Sequence, residues 1–447
     1  MKKPNASSLF KRFRFGFLSV MIFSILSLSA CQKAMTPTES RAIAAANLDH
    51  SAYTLSPEKL EKAVALSRIH VTMLFVEIGW NLLILILLLQ FGIIAKMRDH
   101  VMRMSKNRWA QCFVFFFEFT FTTTLLTLPI SVYLQQVALQ YGTSVQNWPS
   151  YFLDELKSFA ILYAIGSLGV MLLFFLIRKF PKRWWLCFWF PTMAFAILSV
   201  FLEPYVIAPL FDHFEPLSKN NSALVDQLEK VVARGDHIHI PPERMFLMQA
   251  SEKVTTLNAY VSGFGASKRV VVWDTSIAKG TIDEISFIFG HEMGHYVLGH
   301  IVQGLLFSFV MILICFFLGF HLFQWMLKRF GKSWGVTSQE DWSALPILVF
   351  VITFVSFFMG PIFSTYSRNV EHAADVYGQE AVHGIIADPQ TTAAAAFQLL
   401  GENSFANPYP SPFVEFWMYS HPPIGFRAAF AKHYNPWAPG ESPKYFQ

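Results

Sequence analysis

The chain has 447 residues, of which 53% are AVILMFWYC and only 15% are charged, against roughly 25% charged in soluble globular chains. Its mean hydropathy is +0.39, its formal charge is +5, and it contains 47 phenylalanines. That composition excludes a disordered chain and argues against a nucleic-acid binder, leaving the basic residues as reporters of membrane topology.

The N-terminus carries Lys2, Lys3, Lys11, Arg12 and Arg14, then an apolar stretch over 15–28, then Leu28-Ser29-Ala30-Cys31. This is the order of a secretory signal. Two readings stand for residues 1–31: a cleaved signal peptide with a lipidated Cys31, or an uncleaved first span. Residues 32–70 read as an external segment whose positions 57–68 form an amphipathic helix. Within 71–208, four apolar runs near 71–95, 111–134, 158–177 and 184–208 approach or exceed the roughly 20 residues needed to cross a bilayer.

Residues 209–284 change character and read as a polar α/β insert. The alternating Arg269-Val270-Val271-Val272-Trp273 follows a turn-like segment at 263–266 and predicts a β-hairpin. Residues 285–368 carry a helical pattern that begins near Ile282, runs on into an apolar span at 301–327, and precedes another span at 344–366. Residues 369–447 read as a polar helical C-terminal region. The fold class is therefore mainly α, a polytopic helical membrane bundle with a small α/β insert and a helical core after it.

The basic residues orient the bundle. Lys96, Arg98, Arg103, Lys106 and Arg108 crowd one loop, Arg178, Lys179, Lys182 and Arg183 a second, and Lys328, Arg329 and Lys332 a third, whereas 135–157 holds only Lys157. By the positive-inside rule the crowded loops are cytoplasmic, and alternation places the insert and the C-terminal region outside. The expected location is a bacterial inner membrane with the active site on or near the periplasmic side. Cys112, Cys187 and Cys315 lie in apolar runs, and no Cys-x-x-Cys pair supports a disulfide framework or a thiolate metal site.

His291-Glu292-Met293-Gly294-His295 falls in the helical pattern. Four steps of about 100° leave the two histidines about 40° apart on one face, so both imidazoles can meet one zinc while Glu292 reaches a bound water. A catalytic zinc needs a third protein ligand. His300, five residues beyond His295, would sit about 140° off the ligand face of a continuous helix. Glu371 is the better candidate, because it follows a span that returns the chain to the same side, and Asp375 one turn on could orient a ligand imidazole. His237 and His239 alternate as a strand would present them, with no carboxylate on that face. Glu77 and Glu118 lie inside apolar spans and suit either cavity walls or protonated carboxyls bonded between helices.

Several motifs in order then point to a family. His291-Glu292-x-x-His295, the later Glu371-x-x-x-Asp375, Asn258-Ala259-Tyr260 before Gly263, and His421-Pro422-Pro423 with Arg427 resemble the type I CAAX prenyl proteases, membrane zinc endopeptidases of the gluzincin group. The resemblance extends over about residues 50–430. It implies a helical barrel enclosing a water-filled chamber closed at one end by the zinc site. It also implies a substrate-aligning strand near Asn258, Ala259 and Tyr260, and assistance to substrate or oxyanion from His421 and Arg427. Two departures stand out: His372, Ala373 and Ala374 follow Glu371 where the eukaryotic branch has bulky aromatics, and the charge pattern puts the catalytic side outside where that branch faces the cytosol.

The function expected is peptide hydrolysis, with one zinc per chain held by His291, His295 and Glu371 and with Glu292 as general base. The expected partners are membrane lipids and a peptide or protein substrate, lipid-modified or membrane-associated, with no nucleic acid. The alternative is a proteolytically silent zinc-binding chaperone or adaptor, against which the intact Glu292 speaks. A metal transporter would need ionisable pairs over several spans, and Glu77 and Glu118 are too few.

Overall fold

The computed structural model describes residues 33–235, 240–263 and 268–446. The N-terminal signal or span, Cys31, and the pair His237 and His239 lie outside the described residues. Helix α1 (Pro37–Ala46) starts at a capping box in which Thr36 and Glu39 satisfy each other's backbone N–H. Helix α2 (Pro57–Gln90) is one 34-residue rod, about 51 Å long at 1.5 Å per residue. The amphipathic segment and the apolar run that the sequence separates are thus one helix, since no Gly or Pro stands at their junction and Gly79 is absorbed further along. Gly92, at φ 69°, turns the chain into α3 (Ile93–Met104).

Helices α4 (Arg108–Gln140), α5 (Trp148–Lys179) and α6 (Trp184–Leu202) follow. The last continues through a π-turn at Glu203–Ile207 and a final turn at Ala208–Phe211, where Pro204 and Pro209 lack the N–H groups of regular helical bonding. After the insert, with α7 (Ser222–Ala233) and α8 (Asp274–Lys279), come α9 (Ile282–Val297), α10 (His300–Phe330) and α11 (Leu345–Ala381). The chain ends with α12 (Pro389–Ser404), α13 (Pro412–Met418) and α14 (Ile424–His433). Among the described residues, six helices are long and apolar enough to cross a membrane: α2, α4, α5, extended α6, α10 and α11.

Contacts between loops fix the two ends of this bundle. Arg98 donates to Asp341 at 2.8 Å, and the Gln339 amide donates to the carbonyl of Pro181 at 3.1 Å. The loops after α2, α5 and α10, which hold the basic clusters, therefore meet at one end. At the other, Val145 N donates to Lys253 O at 2.8 Å, joining the loop after α4 to the insert.

The insert is a four-stranded sheet in the order β1-β2-β4-β3, with β1 Phe214–Pro216, β2 Met245–Met248, β3 Ala259–Ser262 and β4 Arg269–Trp273. The expected hairpin is the antiparallel pair β3/β4, registered Ala259 to Val272 and Ser262 to Arg269. The parallel partner β2 and the short β1 were not anticipated: three or four residues without β-branching carry almost no strand signal. Val270, Val271 and Val272 are fully buried in the sheet centre. Because Asn258 O accepts from Trp273 N, the antiparallel alternation turns the N–H and C=O of Ala259 and Val261 to the free edge of β3.

Candidate metal centre

Helix α9 begins at a second capping box, Thr281 with Glu284, and its buried Phe287 and Phe289 anchor it in the core shared by insert and C-terminal region. It packs along α11. Small residues let the two backbones close up: a Cβ at Gly378 would lie 2.6 Å from His291 N, and one at Gly294 would lie 3.2 Å from the Cα of Ala374. Ala373 and Ala374 are both buried. Helix α11 is a membrane span prolonged to 37 residues, about 55 Å, and its protruding last turns carry Glu371 and Asp375 to the histidines.

Potential ligand atoms of three residues converge there. His291 Nε2 lies 3.1 Å from His295 Nε2 and 3.2 Å from Glu371 Oε2, and His295 Nε2 lies 3.5 Å from Glu371 Oε1. Ligand bonds of about 2.0–2.1 Å in a tetrahedral site imply edges of about 3.3 Å, so this spacing fits a metal such as zinc. Glu371 Oε2 is buried without a hydrogen bond of good geometry, as expected of an atom reserved for a cation. Among the described residues these three form the group of His, Cys, Asp and Glu able to hold a metal.

Behind the cluster, His291 Nδ1 lies 2.8 Å from Asp375 Oδ1. Burial opposes charge on His291, but the hydrogen bond to Asp375 and the adjoining Glu371 carboxylate prevail and lift its pKa to about 10. Arg427, placed by the resemblance among substrate contacts, is buried and gives two hydrogen bonds to Asp375, at 2.8 and 2.6 Å, with its guanidinium over the Phe397 ring. Two of its N–H donors thereby engage the carboxylate that supports His291. His421 is half-exposed, and its Nε2 lies 3.1 Å from Glu371 Oε2. Arg368 holds it there by donating to the carbonyls of Glu415 and Tyr419 at the end of α13; a single arginine closing an apolar run gave no signal of this in the sequence.

Glu292 and His295 line a cavity of about 300 Å³ with Val261, Tyr296, His300 and Glu371. Val261 belongs to β3, so the free edge strand borders the cluster; Ala259 is buried and Asn258 is held by Ser276. Burial lifts the Tyr260 phenol to about 12. A larger cavity of about 730 Å³ lies on another face of α11, beside Glu39, His372 and Lys444, and among the described residues it holds no such ligand cluster. The helical pattern expected to run unbroken past His295 is interrupted: α9 stops at Val297, Gly299 adopts φ 71°, and α10 restarts at His300.

A membrane-spanning bundle with a His-Glu-x-x-His helix and a distal glutamate defines an integral-membrane metalloprotease. Residues 218–435 match the profile of peptidase family M48, and residues 42–213 that of the CAAX prenyl protease N-terminal region with five membrane helices. The chain belongs to the CAAX prenyl protease family. It is 32% identical to the uncharacterized metalloprotease YhfN of Bacillus subtilis over 85% of this chain and 86% of that one. It is 27% identical to CAAX prenyl protease 1 of Saccharomyces cerevisiae over 68% of each chain. The crystal structure of S. mikatae Ste24p has the same fold, with a TM-score of 0.71 and 23% identity, covering 93% of this chain and 98% of that one.

Proposed function

We propose that the metal is zinc, that His291, His295 and Glu371 hold it, and that the protein cleaves peptide bonds of lipid-modified or membrane-associated substrates. The observation that carries this reading is the convergence of the three side chains, with His291 Nε2 3.1 Å from His295 Nε2 and 3.2 Å from Glu371 Oε2, and His295 Nε2 3.5 Å from Glu371 Oε1. When bound, zinc polarises a carbonyl and acidifies a water. Glu292, whose Oε1 lies 4.0 Å from His291 Nε2, takes the proton of the attacking water and delivers it to the leaving amine. His421 donates to the developing oxyanion. The edge of β3 at Val261, which borders the cavity, aligns the peptide through its main chain, which gives affinity with little side-chain selection.

The membrane is proposed to be a bacterial inner membrane, with the metal centre on the periplasmic side. Supporting this, the three basic loops meet at the end of the bundle opposite the insert, and the positive-inside rule assigns that end to the cytoplasm. A cytosolic prenylated C-terminus is disfavoured as substrate on that orientation. The N-terminal signal is part of the same proposal.

The test uses the full chain in lipid vesicles. Wild type cleaves a peptide library, and Glu292→Gln loses about 10²–10⁴-fold of the rate while retaining zinc. Unchanged hydrolysis in that variant would overturn the mechanism, and a cytoplasmic readout from reporters fused near residue 220 would reverse the orientation.

A further inference from the structure

The junction between α9 and α10 changes where His300 goes. In a continuous helix it would stand about 140° around from His295. The left-handed step at Gly299, φ 71°, which is favourable for glycine and costly for other residues, folds the chain back. His300 is thereby 6% exposed, with its Nδ1 3.1 Å from Nδ1 of His295 and the two rings edge to face, centroids 5.1 Å apart. The opposite nitrogen of His295, Nε2, faces His291 and Glu371. His300 therefore stands behind the ligand ring, on the side away from the cluster.

We infer that His300 is a positioning residue for the metal ligand His295. It accepts the Nδ1–H of His295, which selects the tautomer whose Nε2 lone pair is free for the metal, and it fixes the plane of the ring. This rests on the metal-binding reading given above. The arrangement parallels that of His291, whose Nδ1 is held by Asp375, with one chemical difference. A carboxylate adds negative charge behind its imidazole, whereas a neutral imidazole supplies the same acceptor without it. One charged and one neutral support orient both ligands while leaving the bound cation more electrophilic than two carboxylates would.

Two substitutions in the purified full-length protein test this after metal removal. His300→Leu fills similar space without an acceptor. His300→Asn places its side-chain oxygen as many bonds from Cα as the histidine Nδ1. Zinc affinity is measured by competition with a chromogenic chelator, and ligand geometry by the visible absorption of the cobalt-substituted protein. The expected result is a loss of about 10- to 100-fold in zinc affinity and a shifted cobalt spectrum for His300→Leu, with His300→Asn within about threefold of wild type and an unshifted spectrum. Wild-type affinity in His300→Leu overturns the proposal, as does an equal loss in both variants, which would assign the position a steric role. Should His300→Leu not fold, a folded His300→Asn with tenfold weaker zinc binding overturns it alone. Failure of the underlying reading looks different: wild type itself then takes up neither zinc nor cobalt.

Discussion

Gly378 lies so close to His291 that a methyl group on its α-carbon would stand 2.6 Å from the His291 backbone nitrogen and 2.9 Å from its α-carbon. The contact is backbone against side chain, so no flexible neighbour can yield, and α9 and α11 must separate to admit it. Gly378→Ala is expected to destabilise the protein by about 1–3 kcal/mol and to spread the three ligand atoms. Thermal unfolding and zinc titration read both effects. Gly304→Ala serves as control, since its Cβ meets nothing within 4 Å and the change gains up to about 1 kcal/mol of helix propensity.

Asp375 holds His291 on one side and Arg427 on the other. Asp375→Asn keeps the shape but removes the charge, leaving a buried guanidinium poorly compensated. A loss of about 10- to 100-fold in metal affinity is expected, with a stability loss of about 3–5 kcal/mol. Zinc competition on the folded fraction and chemical denaturation separate the two, and unchanged values in both would contradict the role given to this carboxylate.

The outward N–H of Val261 takes no part in the β3/β4 ladder, so Val261→Pro should spare the sheet while removing one main-chain bond to substrate. A rise in KM of about 10-fold with a smaller change in kcat is expected, since a net hydrogen bond contributes about 0.5–1.5 kcal/mol. Peptide kinetics, alongside circular dichroism to verify the fold, decide it. No change in KM would remove β3 from substrate alignment.

Glu39 of α1 is buried between Lys444, at 2.8 Å, and His372, at 3.1 Å. Burial by itself would raise its pKa, but the hydrogen bonds from His372 and Lys444 outweigh this and hold the carboxyl below its usual 4.5. A depressed folded-state value means that the contribution is fully present above about pH 4.5 and is lost as pH falls through the folded pKa. Wild-type melting temperature should therefore drop on acidification below about pH 5. Glu39→Gln should be less stable at pH 7 by about 3 kcal/mol and show a flatter acid limb. Parallel acid limbs in the two proteins would show that Glu39 is not the titrating group.

Metal removal offers a check independent of mutation. A ligand that binds only the folded state stabilises it by mass action, so stripping zinc with a chelator should lower the melting temperature of wild type, and readdition should restore it. In Glu371→Gln the same treatment should leave the melting temperature unmoved.

How much of this was legible in the chain differs from element to element. The spans near 111–134, 158–177 and 301–327 were readable because bilayer thickness imposes a length of apolar sequence. His291, Glu292 and His295 were readable because a helix turns four-residue spacing into a shared face. The join of 57–68 to the first span was missed, since an amphipathic stretch and an apolar one differ in composition without any break in backbone geometry. Strand β2 was missed because its partner β4 lies more than 20 residues away and the pairing leaves no local trace.

By itself, the sequence determined the membrane class, the two-histidine motif and the side on which charge accumulates, because each depends on local composition or on fixed periodicity. Only the tertiary structure decided that Arg427 turns to Asp375, that Gly378 admits His291, and that His300 swings behind His295. Those outcomes depend on one left-handed residue and on the distance between two helices, quantities set by the packing of segments some eighty positions apart and written in no single stretch of the chain.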